Sequence, residues 1–160
     1  MKIVQIGLIL TSVVAVGGCG ESWSRAFVRT DPPAQAGGVS VALVERQCDR
    51  RIDPNWSSYA DILGLDIQVR VTNSTGSALT FDPGKVRLFA DGEARVPHRS
   101  DASETIPTGA SRTFKVHFLE RDDNLACNVP MALEVDGAAE IGSDRLPLRS
   151  ISFLASTRDI

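Results

Sequence analysis

Two histidines, His98 and His117, are the only imidazole bases in this 160-residue sequence. A serine hydrolase would need one of them beside a nucleophile, but the sequence has no Gly-x-Ser-x-Gly turn. His117 lies in the alternating segment 114–118, where a pleated strand would direct it outward, away from two phenylalanines. His98 follows Pro97 in a loop-like segment. We therefore predict that both histidines are solvated and that the protein has no catalytic residue.

Acidic residues cluster in two places: Glu120, Asp122 and Asp123 in one segment, and Asp91 and Glu93 in another. A glycosidase needs two carboxyl groups that face each other across a cleft. Both clusters fall instead in turn-like sequence, which predicts solvated loops. Calcium binding by the first cluster is the alternative, although the Asp-x-Asp-x-Asp-Gly spacing of a calcium loop is missing.

The first 18 residues have the pattern of a secretory signal peptide. Lys2 is the only charge before an apolar run from Ile3 to Val16, and small residues follow that run. The run is about 14 residues long, whereas a helix that crosses a bilayer needs roughly 20. An apolar amino-terminal strand or buried helix is the alternative.

The apolar run ends in Val16, Gly17, Gly18 and Cys19, which resembles the lipobox of bacterial lipoproteins. The resemblance implies that Cys19 is joined to diacylglycerol, that the signal peptide is cleaved between Gly18 and Cys19, and that the new amine is acylated, as by palmitate. Two or more acyl chains make a stable anchor, since each buried CH₂ contributes about 0.8 kcal/mol. Gly20, in place of aspartate, favours the outer membrane, facing the periplasm, if the cell is Gram-negative.

Cys48 and Cys127 remain after Cys19, and an even pair in an exported chain suggests a disulfide. The bond would close a loop of about 80 residues and stabilise the fold by roughly 4 kcal/mol. Two separate thiols are the alternative. Neither histidine stands at ligand spacing from a cysteine, so we predict no metal site and no cofactor.

Removal of residues 1–18 leaves 142 residues with 16 basic and 20 acidic side chains, a formal charge of −4. This length suits a single domain. The chain has no basic patch, so we expect no nucleic-acid partner. The partners that we expect are the membrane, through the lipid anchor, and another component of the envelope.

Residues 19–38 predict a lipidated cysteine and a flexible tether, because they mix polar residues with Pro-Pro and Gly-Gly pairs and show no sustained periodicity. Residues 39–160 predict a β-sandwich domain, because apolar and polar side chains alternate there. The clearest run is 65–72, where alternation places four aliphatic side chains on one face of a strand.

Turn chemistry divides the rest of this domain. A Ser/Thr/Gly segment after Asn73 predicts a hairpin between residues 65–73 and 78–81, and Asp91 with Gly92 predicts a second hairpin. Further alternating runs lie at 114–118, 131–135 and 151–153. About seven or eight short strands predict an all-β fold, an antiparallel two-sheet sandwich, with a closed barrel as the alternative.

Four segments together resemble immunoglobulin-like domains of unassigned function that occur on bacterial lipoproteins. The segments are Val69–Asn73 with the turn after it, Val86–Gly92, Pro107–Gly109 and Phe114–Phe118. The resemblance covers residues 60–137, about half of the chain. It implies an immunoglobulin-like fold and an envelope location, and it implies no activity.

We therefore expect a lipid-anchored protein of the bacterial cell envelope that is not an enzyme and that binds an envelope protein or a polysaccharide. Two alternatives stay open. One is a small-ligand or metal carrier, or an enzyme, whose site the sequence does not show. The other is a structural component of the envelope.

Overall fold

The computed structural model describes residues 23–52, 61–90, 92–121 and 130–155. In these ranges the chain forms fourteen strands, one 3-10 turn and no α-helix. The strands are β1 (Trp23–Thr30), β2 (Ala34–Ala36), β3 (Val39–Ile52), β4 (Asp61–Asn73), β5 (Leu79–Phe81), β6 (Arg87–Ala90), β7 (Glu93–Arg95), β8 (Arg99–Ser100), β9 (Glu104–Ile106), β10 (Ser111–Arg121), β11 (Pro130–Glu134), β12 (Ala139–Ile141), β13 (Asp144–Arg145) and β14 (Ile151–Ala155), and the 3-10 turn is Pro83–Lys85. All strand pairs are antiparallel, so the predicted all-β antiparallel fold is confirmed.

The number of strands exceeds the predicted seven or eight. The difference comes from strands such as β2, β8 and β13, which have only two or three residues each. A strand this short carries no readable alternation, because the period of the pattern is itself two residues. In the same described ranges, no helix is long and apolar enough to cross a membrane.

The strands form three sheets. The first sheet runs β1-β3-β4-β10-β8, with β2 also paired to β3; the second runs β7-β6-β11-β14-β1; the third runs β13-β12-β5-β9. Strand β1 belongs to two sheets, because residues 23–26 pair with β3 whereas residues 27–30 pair with β14. A register shift between Phe27 and Arg29 marks a bulge at this change of partner.

Residues 23–30 and 34–36, which fall in the segment predicted to be a tether, are strands. Strand β1 joins the first sheet to the second, and β2 pairs with β3. A bulge interrupts the two-residue period of a strand, so no sustained alternation is expected in the sequence of β1. The first described strand thus begins at Trp23, four residues after Cys19.

Strand β4 confirms the alternation that the sequence predicts for it. Leu65, Ile67, Val69 and Val71 are at most 1% exposed, and the polar residues between them lie on the outer face. Burial of each such side chain contributes about 1.5 to 3 kcal/mol. Across the sheet, Val69 lies opposite Phe114 of β10, so apolar side chains of the two strands meet on the inner face of the first sheet.

The predicted hairpin after Asn73 is wrong. Strand β4 pairs with β3 and β10, whereas β5 pairs with β9 and β12, so the chain leaves the first sheet at Asn73 and enters the third. Asn73 is wholly buried at this corner. Its Nδ2 donates to the carbonyl oxygens of Ser77 and Ile106, at 2.9 Å each. Its Oδ1 accepts from the backbone N of Thr75 at 3.0 Å and from Thr75 Oγ1 at 2.7 Å.

These four hydrogen bonds explain why the Ser/Thr/Gly segment forms a corner between two sheets and not the turn of a hairpin. A buried amide is costly unless its donors and its acceptor are satisfied. Asn73 meets that condition and connects its own turn to Ile106 at the end of β9. The second predicted hairpin is confirmed, since β6 and β7 pair with Ala90 opposite Glu93. Gly92 in its turn has φ +78°, a conformation that favours glycine.

Candidate functional site

The candidate site is a depression on the outer face of the first sheet, where β4, β10 and the short edge strand β8 meet. Its volume is about 630 Å³, and one wall is the apolar side of Leu119. Six of the lining side chains are charged or are histidines, namely Asp66, His98, Arg99, Asp101, Lys115 and His117. The depression therefore combines imidazole, carboxylate and cationic groups in one open surface site.

The centre of the depression is a histidine–aspartate pair. Asp66 of β4 and His117 of β10 lie directly opposite each other in the antiparallel register. His117 Nδ1 is 2.7 Å from Asp66 Oδ1, and the two side chains are 29% and 60% exposed. An ionised carboxylate can only accept a hydrogen bond, so Nδ1 of His117 donates to Asp66 and Nε2 stays available for a contact with a ligand.

The pleat of the two strands places this pair on the outer face. Asp66 stands between Leu65 and Ile67, and His117 stands between Val116 and Phe118; all four neighbours are buried. Side chains alternate along a strand, so both polar residues must point away from the core. The prediction that His117 faces outward is correct, whereas the prediction of a simply solvated side chain missed its bond to Asp66.

His98 joins the same depression from the segment that precedes β8. Its backbone N donates to the carbonyl oxygen of His117 at 2.9 Å. The two imidazole rings lie edge to face, with centroids 6.1 Å apart. The structure thus brings together the two histidines that the sequence analysis placed separately in solvent.

Asp101 holds the other end of β8 against β10. Its backbone N donates to the carbonyl oxygen of Lys115 at 3.0 Å, and its Oδ2 accepts from the backbone N of Lys115 at 2.7 Å. Hydrogen bonds at both ends hold β8 against β10, although β8 has only two residues. This carboxylate therefore shapes the wall of the depression through backbone contacts, a role that nothing in the sequence indicated.

Ser100 does not complete a catalytic triad with the pair. Ser100 is among the residues that line the depression, but it lies opposite Val116, whereas Arg99 lies opposite His117, so Ser100 is one register position away from the imidazole. Its Oγ would lie 3.7 Å from a Cβ atom built on Gly84, which places the hydroxyl near the 3-10 turn. The geometry supports hydrogen bonding to a ligand at His117 better than nucleophilic attack by Ser100.

Glu93, from one of the predicted acidic clusters, does not line this depression. Glu93 contacts Arg95 in the β6–β7 hairpin, with Oε2 3.4 Å from Nη2. Glu120 lies at the end of β10, opposite Leu63. Asp91, Asp122 and Asp123 lie outside the described residues, so the calcium alternative is untested. Among the residues that the structure describes, no group of three His, Cys, Asp or Glu side chains could hold a metal ion.

Cys48 lies in β3 opposite Leu65 and is wholly buried. A register shift between Leu43 and Glu45 explains its position, because the extra residue moves the later even-numbered residues of β3 to the inner face. Cys127, Gly18 and Cys19 lie outside the described residues. The pairing of Cys48 with Cys127 and the lipidation of Cys19 therefore stay predictions.

Two charged groups away from the depression are perturbed by their surroundings. Arg46 lies opposite Ile67, and its buried Nε has no hydrogen-bond partner among the described groups. Burial lowers the pKa of Arg46 because the charged form loses water. In the third sheet, the pKa of Glu140 is lowered by a hydrogen bond and charge attraction from Lys85, whose Nζ is 2.8 Å from Glu140 Oε1.

Comparison with known proteins shows that this chain has a fold similar to that of a solved structure. No protein-family model and no curated protein matches this chain. The crystal structure of YcdA, a candidate lipoprotein from Bacillus subtilis, is similar, with a TM-score of 0.54 and 14% sequence identity. The alignment covers 77% of this chain and 38% of YcdA, so this chain spans well under half the length of that protein. At this identity the comparison shows similarity of fold alone.

Proposed function

We propose that this chain is a lipid-anchored protein of the bacterial cell envelope and that its β domain binds another envelope component without catalysis. The observation that carries the proposal is the position of the lipobox. Val16 to Cys19 ends four residues before β1, the first strand of an all-β domain. An anchor placed directly ahead of a folded domain is what a surface-attached binding module requires.

The fold supports this proposal at a coarser level. The chain shares its fold with YcdA, which is itself described as a candidate lipoprotein. We further propose that the sheets pack as an immunoglobulin-like sandwich, with Cys48 joined to Cys127. Because β1 and β2 are part of the sheets, the proposed domain begins at Trp23 and not at residue 39. Placement in the outer membrane is proposed for a Gram-negative cell.

The binding surface that we propose is the outer face of the first sheet around the Asp66–His117 pair. This face carries cations, carboxylates and imidazoles, which can form directional contacts with a peptide or with sugar hydroxyls. A second function is also favoured by this geometry, namely capture of a small polar ligand. Both histidines and two carboxylates line one depression of about 630 Å³, within the range of small-molecule sites.

Metabolic labelling tests the anchor. Cells that express the parent protein are grown with an alkyne fatty acid and compared with cells that express Cys19→Ser. We expect label on the parent and none on the variant, because the serine hydroxyl cannot form the thioether. Equal labelling of the two proteins would refute the proposal. Ser152→Ala, at an exposed position of β14, is the control and should be labelled like the parent.

Cross-linking in intact cells, followed by affinity capture, tests the binding function. The parent should recover a specific neighbour, and His117→Gln should lose it. Ser152→Ala lies on an exposed position of β14 in the second sheet and should retain it. Recovery of nothing above background would contradict the binding module.

The small-ligand alternative is tested by ligand-observed NMR with a mixture of sugars, short peptides and small carboxylic acids. A hit that His117→Gln abolishes and Ser152→Ala leaves intact would favour the alternative. The absence of any hit would favour a macromolecular partner.

A further inference from the structure

The short distance along the chain between Cys19 and Trp23 restricts where the domain can lie. This step depends on the proposed lipid anchor at Cys19. Four residue steps join the Cα atoms of Cys19 and Trp23, and an extended chain covers at most about 3.6 Å per residue. The start of β1 must therefore lie within about 15 Å of an acylated Cys19. A domain that stands far from the membrane on a long tether is excluded by this geometry.

The pairing of β1 identifies which end of the molecule the anchor holds. Trp23 lies opposite Arg50 of β3, Arg50 lies opposite Leu63 of β4, and Leu63 lies opposite Glu120 of β10. The beginning of β1, the end of β3, the beginning of β4 and the end of β10 thus form one end of the first sheet, which we call the proximal end. The corner at Asn73, opposite Val39, is the distal end.

The two ends are well separated along β4. Ten residue steps lead from Leu63 to Asn73, which at about 3.4 Å per residue corresponds to about 34 Å. Only three steps lead from Leu63 to Asp66, or about 10 Å. The Asp66–His117 pair therefore lies in the third of the sheet that is nearest the anchored end.

We infer that the protein docks on the headgroup surface of its membrane with this proximal end, so that the Asp66–His117 depression faces the narrow space within about 25 Å of the lipid. The ligand or partner of the depression is then a component that lies at the membrane surface. Components that remain more distant would meet the distal corner first. The proposed binding site would then lie on the side of the domain that is near the bilayer.

The acyl anchor supplies the attraction to the membrane, because each of its buried CH₂ groups contributes apolar free energy. Salt screens interactions between exposed charges and leaves this apolar contribution in place, so docking should persist at high salt.

The test uses full-length lipidated protein in phosphatidylcholine nanodiscs that contain a headgroup spin label. Paramagnetic broadening of backbone amide signals then reports distance from the lipid surface. We expect strong broadening at Gly64 and Leu119 and little at Ser74 and Gly109, at both low and high salt. Equal broadening at the two ends, or a reversed gradient, would overturn the inference.

A variant with twenty Gly and Ser residues inserted between Gly20 and Glu21 is the matched control. Such a linker has an end-to-end distance of about 25 Å. The gradient, that is, the difference in broadening between the proximal and distal ends, should therefore disappear. A gradient that survives the insertion would show that the short connection does not set the orientation, and would contradict the inference.

Mass spectrometry of the same sample separates the two proposals. An acylated Cys19 with a flat gradient refutes the docking inference and leaves the anchor intact. An unmodified Cys19 refutes the anchor and the docking inference together.

Discussion

The outer faces of the first and second sheets differ in chemistry although the two sheets are built by the same alternation. The outer face of the first sheet carries the Asp66–His117 pair and its charged neighbours. On the second sheet, Phe89 lies opposite Ala132, and Phe89 and Leu154 are 37% and 36% exposed. Inward residues of both sheets are mostly apolar because burial of apolar surface drives folding. Outward residues are free of that requirement, so their difference points to function on the polar face.

The exposed apolar residues of the second sheet need no special explanation. Single exposed hydrophobic side chains are normal in soluble domains. On the first sheet, in contrast, a hydrogen-bonded histidine–carboxylate pair lies beside a second histidine in one depression. The comparison therefore directs experiments to the first sheet and makes the second sheet a source of control variants.

The largest expected loss in the free energy of unfolding comes from a substitution on an inner face, as opposed to the same substitution on an outer face. Phe114→Ala removes a buried ring that packs on Phe81 at 5.0 Å between centroids. The free energy of unfolding should fall by about 3 to 5 kcal/mol, as measured by urea denaturation. Phe89→Ala makes the same substitution on the outer face of the second sheet, and its loss should be less than half as large. Equal losses would break the assignment of inner and outer faces.

The next effect concerns the corner at the distal end of the first sheet. Asn73→Ala leaves the carbonyl oxygens of Ser77 and Ile106 and the backbone N of Thr75 without their buried partner. We expect a loss of about 2 to 3 kcal/mol in the free energy of unfolding. Ser77→Ala keeps the backbone acceptor and should cost less than about 0.5 kcal/mol. Similar values for the two variants would mean that the amide does not hold the corner.

A smaller effect is expected for the pair that distinguishes the polar face. A double-mutant cycle with Asp66→Asn and His117→Gln should give a coupling of less than about 1 kcal/mol in the free energy of unfolding, because exposed ion pairs contribute little. The same variants should lose the captured partner. A coupling above about 2 kcal/mol would assign the pair to stability instead of binding.

The smallest effect is a pH dependence in the third sheet. Lys85 lowers the pKa of Glu140 from its ordinary value, so the ion pair stabilises the fold above that value and loses its effect as pH falls through the lowered one. Lys85→Met should therefore be slightly less stable than the parent at pH 7 and equally stable in strong acid, as followed by urea denaturation at each pH. Arg145 is more distant, with Nε 3.7 Å from Glu140 Oε1, so Arg145→Met should change less. A difference that persists in acid would contradict this account.

Sequence reasoning predicted the elements that have a long, regular pattern. Strand β4 and the inward residues of β10 were readable because their alternation is uninterrupted over several residues. Strand β1 was missed, since a bulge divides it between two partners. The corner at Asn73 was read as a hairpin because turn residues show where a chain bends and not which strand it meets next.

The candidate site was predicted only in part. Each of its histidines was noticed, and the outward direction of His117 followed from the alternation of β10. Its contact with Asp66 did not follow, because the two residues are 51 positions apart and meet only when β4 and β10 pair in one register. Asp101 was missed for the same reason, since its role is to hold β8 against Lys115.

The sequence by itself determined that this chain is all-β and which side chains of β4 and β10 face the core. Those properties depend on neighbours in the chain, where a period of two residues leaves little freedom. Only the tertiary structure decided that β1 joins two sheets and that Asp66 meets His117. Both depend on pairing between distant segments, and the free energy that selects such a register is shared among all the strands that pack together.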